Sequence, residues 1–201
     1  MKNYTMETFN LNSSQNLKIQ EFLSLLKNYN TKVNLVGKST LMDPVNSHIL
    51  DSIQISRYIK NRKLKVIDLG TGAGIPGIVL YIYGYFNMFL IDSNIKKITF
   101  LKKIAKDLNL SFNIIYSRIE NFKNNKFDII ISRALAKLDK LLFYSSFLSH
   151  KNTKLIFLKG MKVDQEINEA KHRWNFTYSL EQSLSDPRGK LIIISNFKKN
   201  D

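Results

Sequence analysis

The sequence predicts an α/β fold that is doubly wound around a mostly parallel, seven-stranded sheet, with an antiparallel hairpin at one edge. Three observations support this prediction. From Lys65 onward, short apolar runs alternate with segments whose apolar residues recur at helical spacing, which is typical of a parallel sheet with helices on both faces. The first apolar run ends in a cluster of glycines. The last two runs follow each other with no helix between them, which favours a hairpin.

A chain of 201 residues suits one compact domain. We expect residues 1–62 to form a helical extension and residues 63–201 to form the core. Ser13 or Ser14 can cap a first helix, because a hydroxyl accepts a hydrogen bond from an unpaired backbone N–H. The apolar stripe of that helix is predicted to be Leu17, Phe22, Leu25, Leu26 and Tyr29. A second helical segment, about 45–60, places Ile49, Ile53 and Ile59 on one side.

The core elements then follow in chain order. Strands are predicted at 66–69, 88–91, 111–116, 127–131, 154–158, 176–180 and 191–197. Helices are predicted at 75–85, 95–109, 137–148 and 163–173.

The amino-acid composition excludes cysteine chemistry and argues against a metal site. There is no cysteine, which excludes disulfides and a thiol nucleophile, and the histidines His48, His150 and His172 lie far apart. We therefore expect no metal site. The N-terminus has no apolar signal core and no apolar run is long enough to span a bilayer, so a cytoplasmic protein that does not contact membranes is expected.

The formal net charge is +15. A polyanion such as RNA would attract this charge, and the affinity would include counterion release. The alternative is codon composition, because most of the basic residues are lysine and the chain is also rich in isoleucine and asparagine. Charge alone leaves both explanations open.

The glycine cluster is the strongest local motif. Asp68 and Leu69 end the first strand, and glycines follow at positions 70, 72, 74 and 77. Glycine permits a sharp turn and a close ligand approach. Gly72, Gly74 and Gly77 satisfy the dinucleotide fingerprint, but an acid at position 68 disfavours a pyrophosphate and suits a cationic ligand, directly or through water. Asp92, about 20 residues further on, is placed to bind ribose hydroxyls for either ligand. An ordinary turn with incidental glycines is the remaining alternative.

Other polar residues end strands at the same rim. Glu120 follows the third strand, with Ile119 beside it, and could read an adenine amino group. Arg133 ends the fourth strand and is expected to lie near both cofactor and acceptor. Lys159 ends the fifth strand and could bind a phosphate of RNA. Glu120 and Lys159 could equally be solvated surface residues, whereas the position of Arg133 at the carboxyl end of a strand favours a functional role.

Taken in order, these segments resemble the RsmG family, also called GidB, of bacterial 16S rRNA guanine-N7 methyltransferases. The resemblance runs from Tyr29-Asn30 to Lys159-Gly160, and its specific part is His48-Ile49-Leu50-Asp51-Ser52. It implies a Rossmann-like class I methyltransferase fold and S-adenosylmethionine as the cofactor. It also implies an acceptor at N7 of guanine 527 of 16S rRNA, with the 30S ribosomal subunit as partner.

For the site, the resemblance implies cofactor contacts from Gly70, Ile75, Ile119, Glu120 and Arg133, and the glycine loop and the acid after the second strand add Gly72 and Asp92. RNA contacts are expected from Lys159 and from Arg188 in the closing loop. No catalytic side chain is expected, because N7 of guanine attacks through a free lone pair and loses no proton, so His48 is interpreted as a hydrogen-bonding residue. We expect a monomer. A nicotinamide-dependent dehydrogenase and a non-catalytic ribosome-assembly factor remain as alternatives.

Overall fold

The computed structural model describes residues 6–123 and 125–200. Its seven strands form one sheet in the order β3-β2-β1-β4-β5-β7-β6. Strands β1 to β5 are parallel, and β7 lies antiparallel between β5 and β6. The predicted doubly wound sheet and its antiparallel edge hairpin are confirmed. The strands are β1 (Val66–Leu69), β2 (Met88–Asp92), β3 (Asn113–Tyr116), β4 (Phe127–Arg133), β5 (Ser149–Lys159), β6 (Trp174–Gln182) and β7 (Lys190–Lys199).

The helices are distributed over both faces of this sheet. They are α1 (Ser13–Asn30), α2 (Asp51–Ile53), α3 (Gly77–Tyr83), α4 (Ile95–Asp107), α5 (Leu138–Leu148) and α6 (Val163–Lys171). Short 3-10 turns occur at Met6–Phe9, Lys38–Leu41 and Ile119–Asn121. None of the helices within the described residues is long and apolar enough to cross a membrane.

Helix α1 begins with a capping box rather than with the predicted serine cap. The Asn12 side chain accepts a bond from the Gln15 N–H, and the Gln15 side chain accepts one from the Asn12 N–H. This reciprocal pair satisfies two helix-end donors, which a serine at position 13 or 14 would not do. The predicted helix is confirmed, and its cap lies one residue earlier.

The apolar stripe of α1 also differs from the prediction at one position. Phe22 and Leu26 are fully buried, but Leu17 is 56% exposed and Ile19 takes its place at 6%. Ile19, Phe22 and Leu26 follow one another at steps of three and four residues, so they share one face. Leu17 lies two residues before Ile19, which is roughly 200° around the helix axis at 100° per residue.

The second lead-in segment is helical, as predicted, but irregular. A π turn (Val45–Leu50) leads into α2, and a 3-10 turn (Gln54–Tyr58) ends it. Ile49, Ile53 and Ile59 are all buried, which confirms that they share the inner face. The widened turn contains His48 and ends just before Asp51, and π turns are frequent where a helix presents functional side chains.

The core forms two layers, one on each face of the sheet. On one face, the lead-in segments pack with α3 and α4, and the ring centroids of Tyr29 and Phe100 are 5.2 Å apart. On the other, α5 and α6 pack against the sheet around Leu141 and Trp174. The lead-in is therefore continuous with the core.

Strand β1 lies between β2 and β4, so the chain changes direction across the sheet at this point. In open α/β sheets, the crevice at the carboxyl ends of such neighbouring strands is where ligands bind. The loops after β1, β2 and β4 open into this crevice.

Candidate functional site

The glycine loop follows β1 at this crevice. Gly70 and Gly72 have φ angles of +62° and +58°, which residues other than glycine rarely adopt. A Cβ at position 70 would lie 2.5 Å from Leu135 Cδ1, because the chain after β4 packs against the loop. A Cβ at position 72 would meet nothing closer than the Lys97 Nζ at 3.7 Å. There is therefore no free space beside the Cα of Gly70, whereas the Cα of Gly72 faces open space that a ligand can occupy.

Asp68 holds this loop from beneath. Its carboxyl group is fully buried, and Oδ2 accepts bonds from Thr71 Oγ1 at 2.6 Å and from the Gly77 N–H at 3.0 Å. Burial raises the pKa of this carboxyl from 3.8 to about 7, against the opposing effect of the two hydrogen bonds. The sequence suggested a cationic ligand partner at this position. The structure places the carboxyl inside the turn, where it fixes the start of α3 at Gly77 rather than at the predicted residue 75.

Asp92 ends β2 beside the open part of the loop. Its Oδ2 accepts a bond from the Gly72 N–H at 3.0 Å, and its Oδ1 accepts one from the Asn94 N–H at 2.8 Å. The Lys97 Nζ lies 3.9 Å from Oδ2. An ionised carboxylate has about four lone-pair positions, so this one retains acceptors for ligand hydroxyls.

The third strand brings the expected adenine contacts to the same place. The Ser117 N–H donates to the Asp92 backbone carbonyl at 3.2 Å, which ties the loop after β3 to the end of β2. Ile119 is buried and Glu120 is half-buried in the turn that follows. The open Gly72, the Asp92 carboxylate and this turn fit a nucleoside ligand. Ile75 is buried in the core layer on the lead-in side, so its cofactor contact stays a prediction.

Arg133 ends β4 and points toward the lead-in. Its Nη1 donates to the Ser47 carbonyl at 2.6 Å and to Asp51 Oδ2 at 3.0 Å, and its Nη2 lies 3.0 Å from His48 Nδ1. Since a guanidinium only donates, His48 Nδ1 accepts and the imidazole is neutral. Burial, and then the charge of Arg133, lower the pKa of His48 to about 4. The interpretation of His48 as a hydrogen-bonding residue agrees with this geometry.

Asp51 is the residue that sequence reasoning did not assign to the site. Besides Arg133, it accepts bonds from Ser185 Oγ at 2.6 Å and from Gln54 Nε2 at 3.0 Å. The Gln54 Oε1 in turn accepts from the Leu184 N–H at 2.8 Å. This carboxylate therefore joins the lead-in, β4 and the closing loop. Its position within the His-Ile-Leu-Asp-Ser block was the one available signal.

A cavity of about 800 Å³ opens beside this junction. Hydroxyl and amide side chains of the lead-in and the closing loop line it, together with the ends of β4 and β5. Arg133, Lys159 and Arg188 all line it, and their contacts with cofactor or RNA stay predictions. The volume lies within the ~300–1,000 Å³ of typical ligand pockets.

Like Arg133, which pairs with Asp51, the other two cations already have partners. Lys159 Nζ lies 2.6 Å from Glu166 Oε2 and donates to the Ala136 carbonyl, and its side chain is only 9% exposed. Arg188 is 72% exposed and pairs with Asp186. To bind a phosphate, Lys159 would have to break a partly buried ion pair with Glu166. Arg188 would have to break only a solvent-exposed ion pair, which contributes little stability. Both contacts stay predictions.

Most of the chain matches one family of known proteins. The family model described as GidB, rRNA small subunit methyltransferase G, matches residues 15–191. The ribosomal RNA small subunit methyltransferase G of Rickettsia prowazekii (strain Madrid E) is 38% identical over 182 residues, which are 90% of this chain and 94% of the relative. The protein of the same name from Orientia tsutsugamushi (strain Boryong) is 40% identical over 192 residues, or 96% of this chain and 92% of the relative.

Solved structures agree on the fold. A ribosomal protein L11 methylase from Lactobacillus delbrueckii subsp. bulgaricus superposes with a TM-score of 0.60 at 22% identity, over 73% of this chain and 76% of that one. The M. jannaschii TYW2 in complex with AdoMet gives a TM-score of 0.53 at 15% identity, over 75% and 77% of the two chains. At these identities the likeness concerns the fold alone, which is that of Rossmann-like methyltransferases.

Proposed function

This chain belongs to the GidB family of rRNA small subunit methyltransferase G proteins, and from this membership we propose that it methylates N7 of one guanine in 16S rRNA. The expected acceptor is guanine 527, within the 30S subunit. We further propose that the enzyme works as a monomer in the cytoplasm.

Family membership supports the general activity directly. The chain is an S-adenosylmethionine-dependent rRNA methyltransferase, and its relatives over nine-tenths of its length are named as ribosomal RNA small subunit methyltransferases. The dehydrogenase and the non-catalytic assembly factor are therefore set aside. The choice of N7 and of a single guanine rests on the family resemblance, and the geometry supports it as follows.

The observation that carries the proposal is the short path from the glycine loop to the cavity. Arg133 and Ala134 line the cavity, and the next residue, Leu135, packs against Gly70. A cofactor on the open side of the loop and a base in the cavity would thus lie on two sides of one three-residue segment. When bound, S-adenosylmethionine supplies an electrophilic methyl group.

The side chains around the cavity suit an acceptor that needs no base. Guanine N7 has a free lone pair, so no proton has to be removed for it to attack. His48, the histidine nearest the cavity, is neutral with Nδ1 committed to Arg133. Asp51 and the serines beside it can hold a base by hydrogen bonds. Alignment of two reactants can lower a barrier by roughly 7–11 kcal/mol, so positioning alone is a sufficient role for these residues.

The proposal is tested by mapping 7-methylguanosine in 16S rRNA from cells with the protein, without it, and with the Asp92→Ala variant. One guanine should be modified only when the wild-type protein is present. Arg133→Ala should lower modification with the fold intact, because it removes a cavity wall and the hydrogen bonds to the lead-in. Unchanged 7-methylguanosine in cells without the protein would overturn the proposal.

A further inference from the structure

A second groove lies at the amino ends of the parallel strands, whereas the glycine loop lies at their carboxyl ends. It is bounded by the end of α5, the start of β5, the start of β6 and the end of β7. Its volume is about 510 Å³. Because β7 runs antiparallel to β5, these four ends meet at the edge where the parallel strands begin. The groove shares no lining residue with the cavity beside Arg133.

Aromatic rings form the apolar part of this groove. Phe143 is 39% exposed, and its ring centroid lies 4.8 Å from that of Phe147 at an interplanar angle of 78°. Across the groove, Trp174 and Phe197 have centroids 6.2 Å apart. The indole N–H of Trp174 donates to Asp139 Oδ1 at 2.9 Å, which fixes the orientation of that ring. Trp174 is itself buried, so the aromatic surface that the groove offers to a ligand is mainly that of Phe143.

Lysines surround these rings. Lys123 Nζ lies 5.4 Å from the Phe147 ring centroid, and Lys126 Nζ donates to the Phe147 carbonyl at 3.1 Å. These two lie beside the groove, and three exposed lysines line the groove itself: Lys151, Lys198 and Lys199. Within the residues that the structure describes, none of the five takes part in an ion pair.

Within the described residues, two carboxylates are bonded to side chains of this groove rather than to its lysines. Asp128 Oδ1 lies 3.1 Å from His150 Nε2, and Asp139 accepts bonds from Arg173 at 2.9 Å and from the Trp174 indole N–H. In the part of the chain that the structure describes, the groove thus combines an exposed aromatic side chain, Phe143, with lysines that are in no ion pair. A ligand that complements both features has flat π surfaces joined by anionic links, which describes a single strand of RNA.

We propose that this groove binds a single-stranded segment of RNA, with a base against Phe143 and Phe147 and the phosphates beside the lysines. The inference rests on the proposed function, since the segment would belong to the same rRNA substrate, held away from the methylated base. A purely apolar peptide would gain nothing from the lysines, and a second copy of this chain, itself strongly basic, would be repelled by them.

The chain contains one tryptophan, and it lies in this groove. The intrinsic fluorescence of Trp174 therefore reports on the groove alone. We expect a short oligouridylate, titrated into the full-length protein, to quench this fluorescence saturably, with weaker binding at higher salt. Phe143→Ala should lower the affinity about tenfold or more, as alanine substitutions at stacked bases do.

The charge is tested with a matched pair of double variants. Lys198→Glu with Lys199→Glu should lower the affinity and reduce the slope of log affinity against log salt by about 1.4, at roughly 0.7 per phosphate contact on a single strand. Lys27→Glu with Lys32→Glu makes the same charge change on exposed residues outside the groove, and should keep the slope. Thermal melts establish that every variant is folded.

Three results would overturn the groove proposal. The first is RNA binding by fluorescence anisotropy with an affinity that Phe143→Ala leaves unchanged. The second is an equal loss of affinity in both double variants. The third is quenching that rises with protein concentration in the absence of RNA, with sedimentation as a dimer, which would make the groove an interface between copies. Methyl transfer by the wild-type protein to 30S subunits is measured alongside. Its absence would refute the proposed function, whereas its presence together with any of the three results would refute the groove alone.

Discussion

Replacing Asp68 with asparagine removes the buried ionisable group under the glycine loop and keeps its shape. The carboxyl Oδ2 accepts bonds from Thr71 and Gly77, and an amide oxygen in the same position can accept both. Oδ1 is buried without a hydrogen-bond partner in the described structure, so the new amide nitrogen would also be unpaired there. That cost does not vary with pH, which makes pH dependence the informative measurement.

The size and sign of the effect follow from the raised pKa of Asp68. Burial moves this pKa from 3.8 to about 7. Because the folded pKa is the higher one, the folded chain holds more protons than the unfolded chain between these values, and stability falls as pH rises through that window. The full shift corresponds to about 4 kcal/mol at roughly 1.4 kcal/mol per pH unit, of which about 2–3 kcal/mol lies between pH 5 and pH 8.

Urea unfolding of both proteins at pH 5 and pH 8, without cofactor, measures this effect. The wild-type free energy of unfolding should fall relative to that of the Asp68→Asn variant by about 2–3 kcal/mol between the two pH values. Other titrating groups are common to both proteins and cancel in the comparison. A difference between the two proteins that is the same at both pH values would refute the buried, protonated carboxyl.

Three further predictions concern residues around the same rim. Gly70→Val places a side chain at positive φ and against Leu135. Calorimetry should show that the cofactor affinity falls at least about tenfold, while circular dichroism shows that the protein is still folded. Unchanged affinity would mean that the loop is misassigned. Asp92→Ala removes the acceptor of two backbone N–H groups, at about 1–3 kcal/mol for each donor left unpaired, and calorimetry should show weaker cofactor binding. Wild-type affinity in that variant would contradict the role of the carboxylate. The pKa of His48 is lowered to about 4, so below about pH 6.5 the unfolded chain binds more protons than the folded chain, and the wild-type protein loses stability on acidification. In urea unfolding, the free energy of unfolding of His48→Gln should therefore lie closer to that of the wild type at pH 4.5 than at pH 7.5. The same difference at both pH values would count against the neutral histidine.

The sequence predicts the features that depend on local pattern. The seven apolar runs correspond to the seven strands, and the last two runs form the hairpin. These elements could be predicted because the periodicity of a strand or a helix depends on residues that are neighbours in the sequence. The glycine loop was predictable for the same reason, because its turn is made by adjacent positions. Strand ends were less accurate: β5 begins at Ser149, five residues before the predicted start.

Features made by distant residues could not be predicted in this way. Asp51 meets Ser185 only because the closing loop folds back over the lead-in, and the pair is 134 residues apart. The ion pair of Lys159 with Glu166 depends on how α6 packs after β5, so an expected phosphate-binding lysine proved to be nearly buried. Single-residue patterns report which side chains are polar, and tertiary packing decides which of them are paired.

The central claim, a site-specific rRNA methyltransferase, is tested most directly by methyl transfer from tritiated S-adenosylmethionine to three substrates. These are 30S subunits, naked 16S rRNA and a random RNA of equal length. The proposed function predicts label in one guanine, as 7-methylguanosine, with transfer that depends on rRNA folding or on the ribosomal particle and with no transfer to the random RNA. Equal labelling of all three substrates, or label spread over many guanines, would contradict it, because charge alone attracts any polyanion without selecting one base.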